Sequence, residues 1–99
     1  MAKFALLVEL KAKPGKASEI EAFLGKEASL VRGEPGTLTW HASADEGESA
    51  AYFVFDTFDD EAGREAHLNG EAGAELAAHW EELFSEAPKI HRVRIVAEK

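Results

Sequence analysis

The chain has 99 residues, of which 45% are hydrophobic and 30% are charged, and its formal net charge is -8 at pH 7. This length predicts a single domain over residues 1–99, and the composition is typical of a globular rather than a disordered protein. The acidic surface repels phosphate backbones and anionic lipids, so we expect no nucleic-acid partner and no membrane partner. The chain has no cysteine, which excludes disulfides, and its N-terminus has no signal-peptide pattern. These features favour a cytoplasmic protein.

Hydrophobic spacing predicts a strand, a helix and a second strand in the first half of the chain. Bulky apolar residues at every second position predict a strand over Phe4–Lys11. Residues 18–31 carry apolar side chains at helical spacing, and Ser18 with Glu21 fits a capping box at the start of that helix. Alternation returns over residues 37–43, which predicts the second strand.

The second half predicts a third strand, two helices and a last strand. Residues 51–58 are dense in aromatic and β-branched side chains, and neither face of this strand is polar. A second helix capped by Asp59 or Asp60, a third helix over 71–85 and a final strand over 90–97 follow. The element order β-α-β-β-α(α)-β predicts a ferredoxin-like α+β fold, in which an antiparallel sheet carries its helices on one face.

The third strand also predicts a partner subunit. A sheet with one face toward water should alternate cleanly between apolar and polar residues, and residues 51–58 do not. The helices cover one face, and in a chain of this length a second subunit is needed to cover the other. We therefore predict a homodimer that pairs through its sheet faces.

Two local patterns resemble the antibiotic biosynthesis monooxygenase family, whose members are small dimeric α/β-barrel proteins. Residues 8–15, VELKAKPG, are similar to the family's first strand and the Pro-Gly turn after it. Residues 52–62, YFVFDTFDDEA, and the AHL step at 66–68 are similar to its third strand, acidic turn and following helix. The resemblance covers nearly the whole chain, and it implies a pocket between the sheet and the helices of each subunit.

The resemblance also implies a chemistry. Characterised members of the family oxidise quinols or anthrone-like aromatics with oxygen, and they use no metal or flavin. We therefore predict a cofactor-free monooxygenase that acts on a small aromatic or quinol-type substrate. The chain differs from the family pattern after the AHL step. Quinol-oxidising relatives commonly carry a second His a few residues later, where this chain has Asn69-Gly70-Glu71-Ala72.

His67 is the candidate catalytic residue, because histidine titrates in the range needed to take a phenolic or benzylic proton. It would act as a base or as a hydrogen-bond partner of the substrate, and the alternative is a half-buried helix residue bonded to a neighbour. The candidate substrate-binding residues are aromatic and would form an apolar wall: Trp40, Phe55, Trp80 and Phe84. The alternative for each of these is a place in the core or the dimer interface.

The remaining charged residues form no motif. No pair of His, Asp or Glu has a convincing metal-site spacing, so we predict no metal site. The carboxylates of the predicted helices, Glu27 among them, fit a solvated face. Two other functional classes stay open on the same fold. One is a non-catalytic small-molecule binding or stress-response module, and the other is an isomerase or decarboxylase that uses the same pocket without oxygen.

Overall fold

The computed structural model describes residues 3–99, which form four strands and three helices. In chain order the elements are β1 (Phe4–Lys11), α1 (Ala17–Val31), β2 (Thr37–Ala44), β3 (Ala51–Phe58), α2 (Glu61–Leu68), α3 (Glu71–Leu83) and β4 (Lys89–Arg94). The strands form one antiparallel sheet in the order β2-β3-β1-β4, so the predicted ferredoxin-like α+β fold is confirmed. Both β2 and β4 are edge strands, and the sheet of one chain is therefore not closed into a barrel. No helix within residues 3–99 has the length and hydrophobicity to cross a membrane.

The starts of the first two helices depend on different capping contacts. α1 begins after Lys16 and no side chain caps it, so the predicted capping box of Ser18 and Glu21 is wrong. Glu21 instead accepts a hydrogen bond from the Tyr52 hydroxyl at 3.2 Å, which ties α1 to the sheet. α2 is capped by Asp60, one of the two predicted residues, whose carboxylate accepts a backbone N–H of the first turn at 2.8 Å.

α3 and β4 both end earlier than predicted. α3 ends at Leu83 because Phe84 leaves the helix and pairs with Ala12 in an isolated bridge. β4 ends at Arg94, which pairs with Phe4, the first residue of β1. α3 thus stops at a contact with the residue after β1, and β4 stops at the pairing with the start of β1; the local C-terminal pattern encodes neither contact.

The two faces of the sheet differ in what covers them. Leu6, Val8 and Leu10 of β1 are buried on the face that carries the three helices. Phe55 of β3 pairs with Leu7 of β1 and points to the opposite face, where 38% of its surface is exposed. We call this second side of the sheet the open face.

Two glycines let α2 approach the loop between α1 and β2. A Cβ atom on Gly36 would lie 2.9 Å from the Gly63 Cα, and one on Gly63 would lie 2.8 Å from the Gly36 carbonyl oxygen. Both distances are shorter than the van der Waals contacts that a Cβ atom makes in packed proteins, so positions 36 and 63 both require glycine. The close approach brings His67 of α2 beside Glu34 in that loop.

Candidate active site

A cavity of about 270 Å³ lies between the sheet and the helices. Each of the seven elements contributes at least one residue to its lining. Most of the lining is apolar, and the exceptions are Glu27 of α1, Asp56 of β3 and His67 of α2, which we call the polar cluster. A mostly apolar concave site with a few polar groups is the usual form of a small-molecule site.

The structure places the predicted site residues in two different environments. His67, Trp40 and Trp80 line the cavity. Phe55 lies on the open face, away from the cavity, because it alternates with the cavity-lining residues of β3. Phe84 is 1% exposed and packs in the hydrophobic core instead of the cavity lining. The aromatic wall of the cavity therefore consists of the two tryptophans.

Both ring nitrogens of His67 lie against carboxylates. Its Nδ1 atom is 2.6 Å from Glu34 Oε1, and its Nε2 atom is 2.9 Å from Asp56 Oδ2. The same Glu34 oxygen accepts a hydrogen bond from the Thr37 hydroxyl at 2.9 Å, which fixes the carboxylate in the loop. A neutral imidazole carries only one N–H, so two carboxylates at its two nitrogens favour the doubly protonated imidazolium.

The balance of burial and charge agrees with this protonation state. Burial by itself lowers the pKa of His67, but the adjacent carboxylates of Asp56 and Glu34 outweigh it and raise the pKa to about 8. His67 is therefore a cation at neutral pH, held between two negative charges. This arrangement favours His67 as a hydrogen-bond and charge partner over His67 as a free base.

Asp56 is a residue that sequence reasoning did not single out. It is fully buried on the helix-facing side of β3, although it stands in the middle of an apolar strand. Despite the short ion-pair distance to His67, neither of its oxygens has the geometry of a hydrogen bond with a partner in residues 3–99. The sequence does contain a signal for Asp56, because a carboxylate within an otherwise apolar strand is expected to be buried, and a buried charge needs a partner.

Glu27 corrects the prediction that the helix carboxylates form a solvated face. It is 5% exposed, and its Oε2 atom is buried without a hydrogen-bond partner among the described residues. Burial, helped by the negative charge of Glu75, raises the pKa of Glu27 to about 7, although the cation at His67 opposes this. The signal was present in the spacing, because Glu27 continues the buried stripe of Leu24 and Val31 along α1.

The polar cluster and the apolar wall together define what the cavity can do. A flat, uncharged ring can bury its faces against Trp40 and Trp80, which removes apolar surface from water. A hydroxyl group on that ring can meet carboxylate acceptors and the imidazolium of His67. Carboxylates in this setting can accept a proton, and the adjacent cation stabilises the anion that the proton leaves behind.

Solved structures resemble the chain over its full length. NE2512 of Nitrosomonas europaea, a protein of unknown function, has 42% sequence identity and a TM-score of 0.93, over 100% of this chain and 94% of its own. PA3566 of Pseudomonas aeruginosa has 25% identity and a TM-score of 0.83, over 98% and 97% of the two chains. Rv0793 of Mycobacterium tuberculosis, with 14% identity and a TM-score of 0.86 over 98% of each chain, shares the fold alone.

No curated protein sequence matches the chain. The family model described as antibiotic biosynthesis monooxygenase matches residues 3–78, which extend from β1 into α3. The matched part includes the three residues of the polar cluster and Trp40, but not Trp80. The chain belongs to the antibiotic biosynthesis monooxygenase family.

Proposed function

We propose that this protein is a cofactor-independent monooxygenase that oxidises a small aromatic or quinol-type substrate in the cavity. Family membership supports a monooxygenase-like role. The observation that carries the proposal is the combination, in one cavity, of two tryptophans with a buried histidine cation between carboxylates. An apolar wall binds the ring, and the polar cluster meets its hydroxyl group.

The size of the cavity favours a compact substrate. Its volume of about 270 Å³ is close to the lower end of ligand pockets, which begin near ~300 Å³. The carboxylates of Asp56 and Glu34 already flank the positively charged ring of His67. An anionic substrate would therefore gain little attraction from that ring. We therefore propose an uncharged phenolic or quinol-type compound.

The proposed reaction uses oxygen as the oxidant and needs only a proton acceptor and a stabilised anion. A cavity carboxylate takes a proton from the substrate, and the imidazolium of His67 stabilises the resulting anion. The anion gives one electron to oxygen, and the two radicals combine at carbon to form a peroxide that regains the proton from the carboxylate. Loss of the remaining hydrogen from that carbon, with cleavage of the O–O bond, leaves a carbonyl group and one water. One oxygen atom enters the product and the other leaves as water.

We also propose that the protein is a homodimer that pairs through the open face. Leu7 and Phe55 lie opposite each other there and supply apolar surface, and Phe53 on the same strand face remains only partly buried. Pairing of two such faces would remove this surface from water. The cavity lies on the other side of the sheet, so each subunit would keep its own site.

Oxygen consumption tests the proposed activity. Metal-stripped protein is mixed with a panel of quinols and anthrones, and we expect oxygen uptake that persists with chelator present. His67→Gln should reduce the rate by at least about a hundredfold, because it removes the cation that stabilises the anion. His79→Gln, a change at a half-exposed histidine of α3 outside the cavity lining, should leave the rate unchanged.

Two outcomes would contradict the proposal. Ligand binding without oxygen uptake across the panel would favour a non-catalytic binding module. Conversion of a bound substrate without oxygen would favour an isomerase or decarboxylase in the same cavity.

A further inference from the structure

We propose that Glu27 is a specificity-determining residue of the cavity, which selects ligands that present a hydroxyl donor toward α1. This inference rests on the proposed use of the cavity for a hydroxylated aromatic compound. It adds a residue outside the pair of His67 and Asp56, and it gives the site a preference for the reduced form of its ligand.

The Glu27 carboxylate has a buried oxygen, Oε2, that lacks a hydrogen-bond partner among the described residues, 3–99. Glu27 lines the cavity, and only 5% of its surface is exposed to solvent. A buried acceptor that makes no hydrogen bond is costly, and a ligand donor removes that cost. The vacant hydrogen bond therefore favours a ligand with an O–H or N–H group.

The cations near Glu27 lie against other carboxylates. Lys26, the adjacent residue on α1, directs its ammonium group to Glu75 at 3.2 Å, so the Glu27 carboxylate has no direct lysine partner there. The cation at His67 attracts Glu27 from a distance, but both nitrogens of that ring lie against Glu34 and Asp56. Glu27 is thus a cavity carboxylate whose Oε2 atom has a hydrogen-bond position left open by the described residues.

The cavity lining holds two carboxylates, and both influence which ligand binds. Asp56, on β3, is a second cavity residue with a buried carboxylate: its Oδ2 atom lies against the His67 ring, whereas its Oδ1 atom has no hydrogen-bond partner among the described residues. An ionised carboxylate is an acceptor only, and the ionised form of Glu27 prevails above pH 7, so under these conditions both groups favour hydroxyl donors and neither donates to a carbonyl or an ether oxygen. A dihydroxyaromatic compound offers donors, whereas its quinone offers none. The site should therefore bind a dihydroxyaromatic compound more tightly than the corresponding quinone.

Equilibrium binding without oxygen tests this preference. The probes are naphthohydroquinone and its dimethyl ether, which lacks hydroxyl donors, and the readout is the fluorescence of the chain's two tryptophans, both of which line the cavity. The measurement is made above pH 7, where the carboxylate form of Glu27 prevails. We expect the wild type to bind the diol at least about tenfold more tightly than the ether.

Variants separate the role of Glu27 from the shape of the cavity. Glu27→Gln should lower the diol-to-ether ratio by at least about threefold, because an amide N–H can donate to the ether oxygen. Glu19→Gln, a change at an exposed residue of the same helix, should keep the wild-type ratio. The added bulk of the ether is the same in all three proteins, so a change in the ratio between them reports the carboxylate.

The inference is overturned if the wild type binds both probes equally, if it binds neither, or if Glu27→Gln keeps the wild-type ratio. The proposed function fails separately. A protein that consumes oxygen with quinols but shows no preference between the probes keeps the function and loses this inference. A protein that prefers the diol but consumes no oxygen keeps this inference and loses the monooxygenase activity.

Discussion

The Nε2 atom of His67 lies 2.9 Å from the Oδ2 atom of Asp56, a buried carboxylate. Transfer of a lone carboxylate from water into a protein interior is unfavourable, and a nearby cation reduces that cost. The strand and the helix that carry these two residues are therefore coupled by charge as well as by apolar packing. The coupling has a direct consequence for the titration of the histidine.

We predict that Asp56→Asn lowers the pKa of His67 from about 8 toward or below its ordinary value of 6.5. Burial already lowers this pKa, and the substitution removes one of the two carboxylates that oppose it. The measurement is an NMR titration of the histidine ring protons. Glu9→Gln, which removes the carboxylate 2.6 Å from His91, should leave the His67 titration where it is in the wild type. An unchanged His67 midpoint in Asp56→Asn would contradict the ion pair.

We predict that Glu27→Gln stabilises the fold above pH 7 and has little effect at pH ~4. Because the pKa of Glu27 is raised from 4.5 to about 7 in the folded chain, its stabilising contribution is full below 4.5 and is lost as pH rises through 7. The glutamine variant avoids the buried charge and should gain up to roughly 3 kcal/mol in the free energy of unfolding.

Urea unfolding at several pH values measures this difference. Glu19→Gln, at an exposed position of the same helix, should follow the wild type throughout. Equal stability of the wild type and Glu27→Gln above pH 7 would mean that Glu27 is not charged in a buried environment.

We predict that Gly63→Ala destabilises the protein by about 1–3 kcal/mol, because the new methyl group would meet the Gly36 carbonyl oxygen at 2.8 Å. Gly25→Ala is the matched control within α1, since a Cβ atom there meets nothing within 4 Å. That substitution should be neutral or stabilising by up to about 1 kcal/mol. Thermal unfolding of the two variants gives the comparison, and a stable Gly63→Ala protein would show that the loop and α2 can separate without cost.

We predict that Phe55→Lys prevents the proposed dimer from forming, so that the variant is a monomer with its secondary structure intact. The substitution places a charge on the open face, where burial against a second subunit would be unfavourable. Leu38→Lys is the control, because Leu38 is 50% exposed and lines a surface groove with Ala28 and Val31 of α1. Light scattering should give about twice the chain mass for the wild type and the control, and a monomeric wild type would contradict the proposed pairing.

The fold was largely predictable because its elements follow simple local rules. The predicted bounds of β1 and β3 agree with the structure, since alternating or dense β-forming residues stop at clear turn residues. The ends of α3 and β4 were predicted too late, because each is fixed by a contact with the first strand region rather than by local sequence.

The candidate site was less predictable than the fold. His67 was readable as a candidate, but its protonation depends on Glu34 and Asp56, which are distant in sequence and meet it only in the folded chain. Spacing reveals which face a residue occupies, and by that rule Glu27 belongs to the buried stripe of α1. It does not reveal which buried carboxylate lacks a partner, because that depends on the three-dimensional arrangement of every neighbouring donor.

The cavity takes its lining from every strand and every helix of the chain. Detachment of any one element would open the cavity, so a bound ligand opposes partial unfolding of all of them together. Ligand binding should therefore raise the midpoint of global thermal unfolding, by an amount that grows with ligand concentration. In such an architecture the resistance of the whole chain to heat becomes a measure of how well the site is filled, even for a compound that never reacts.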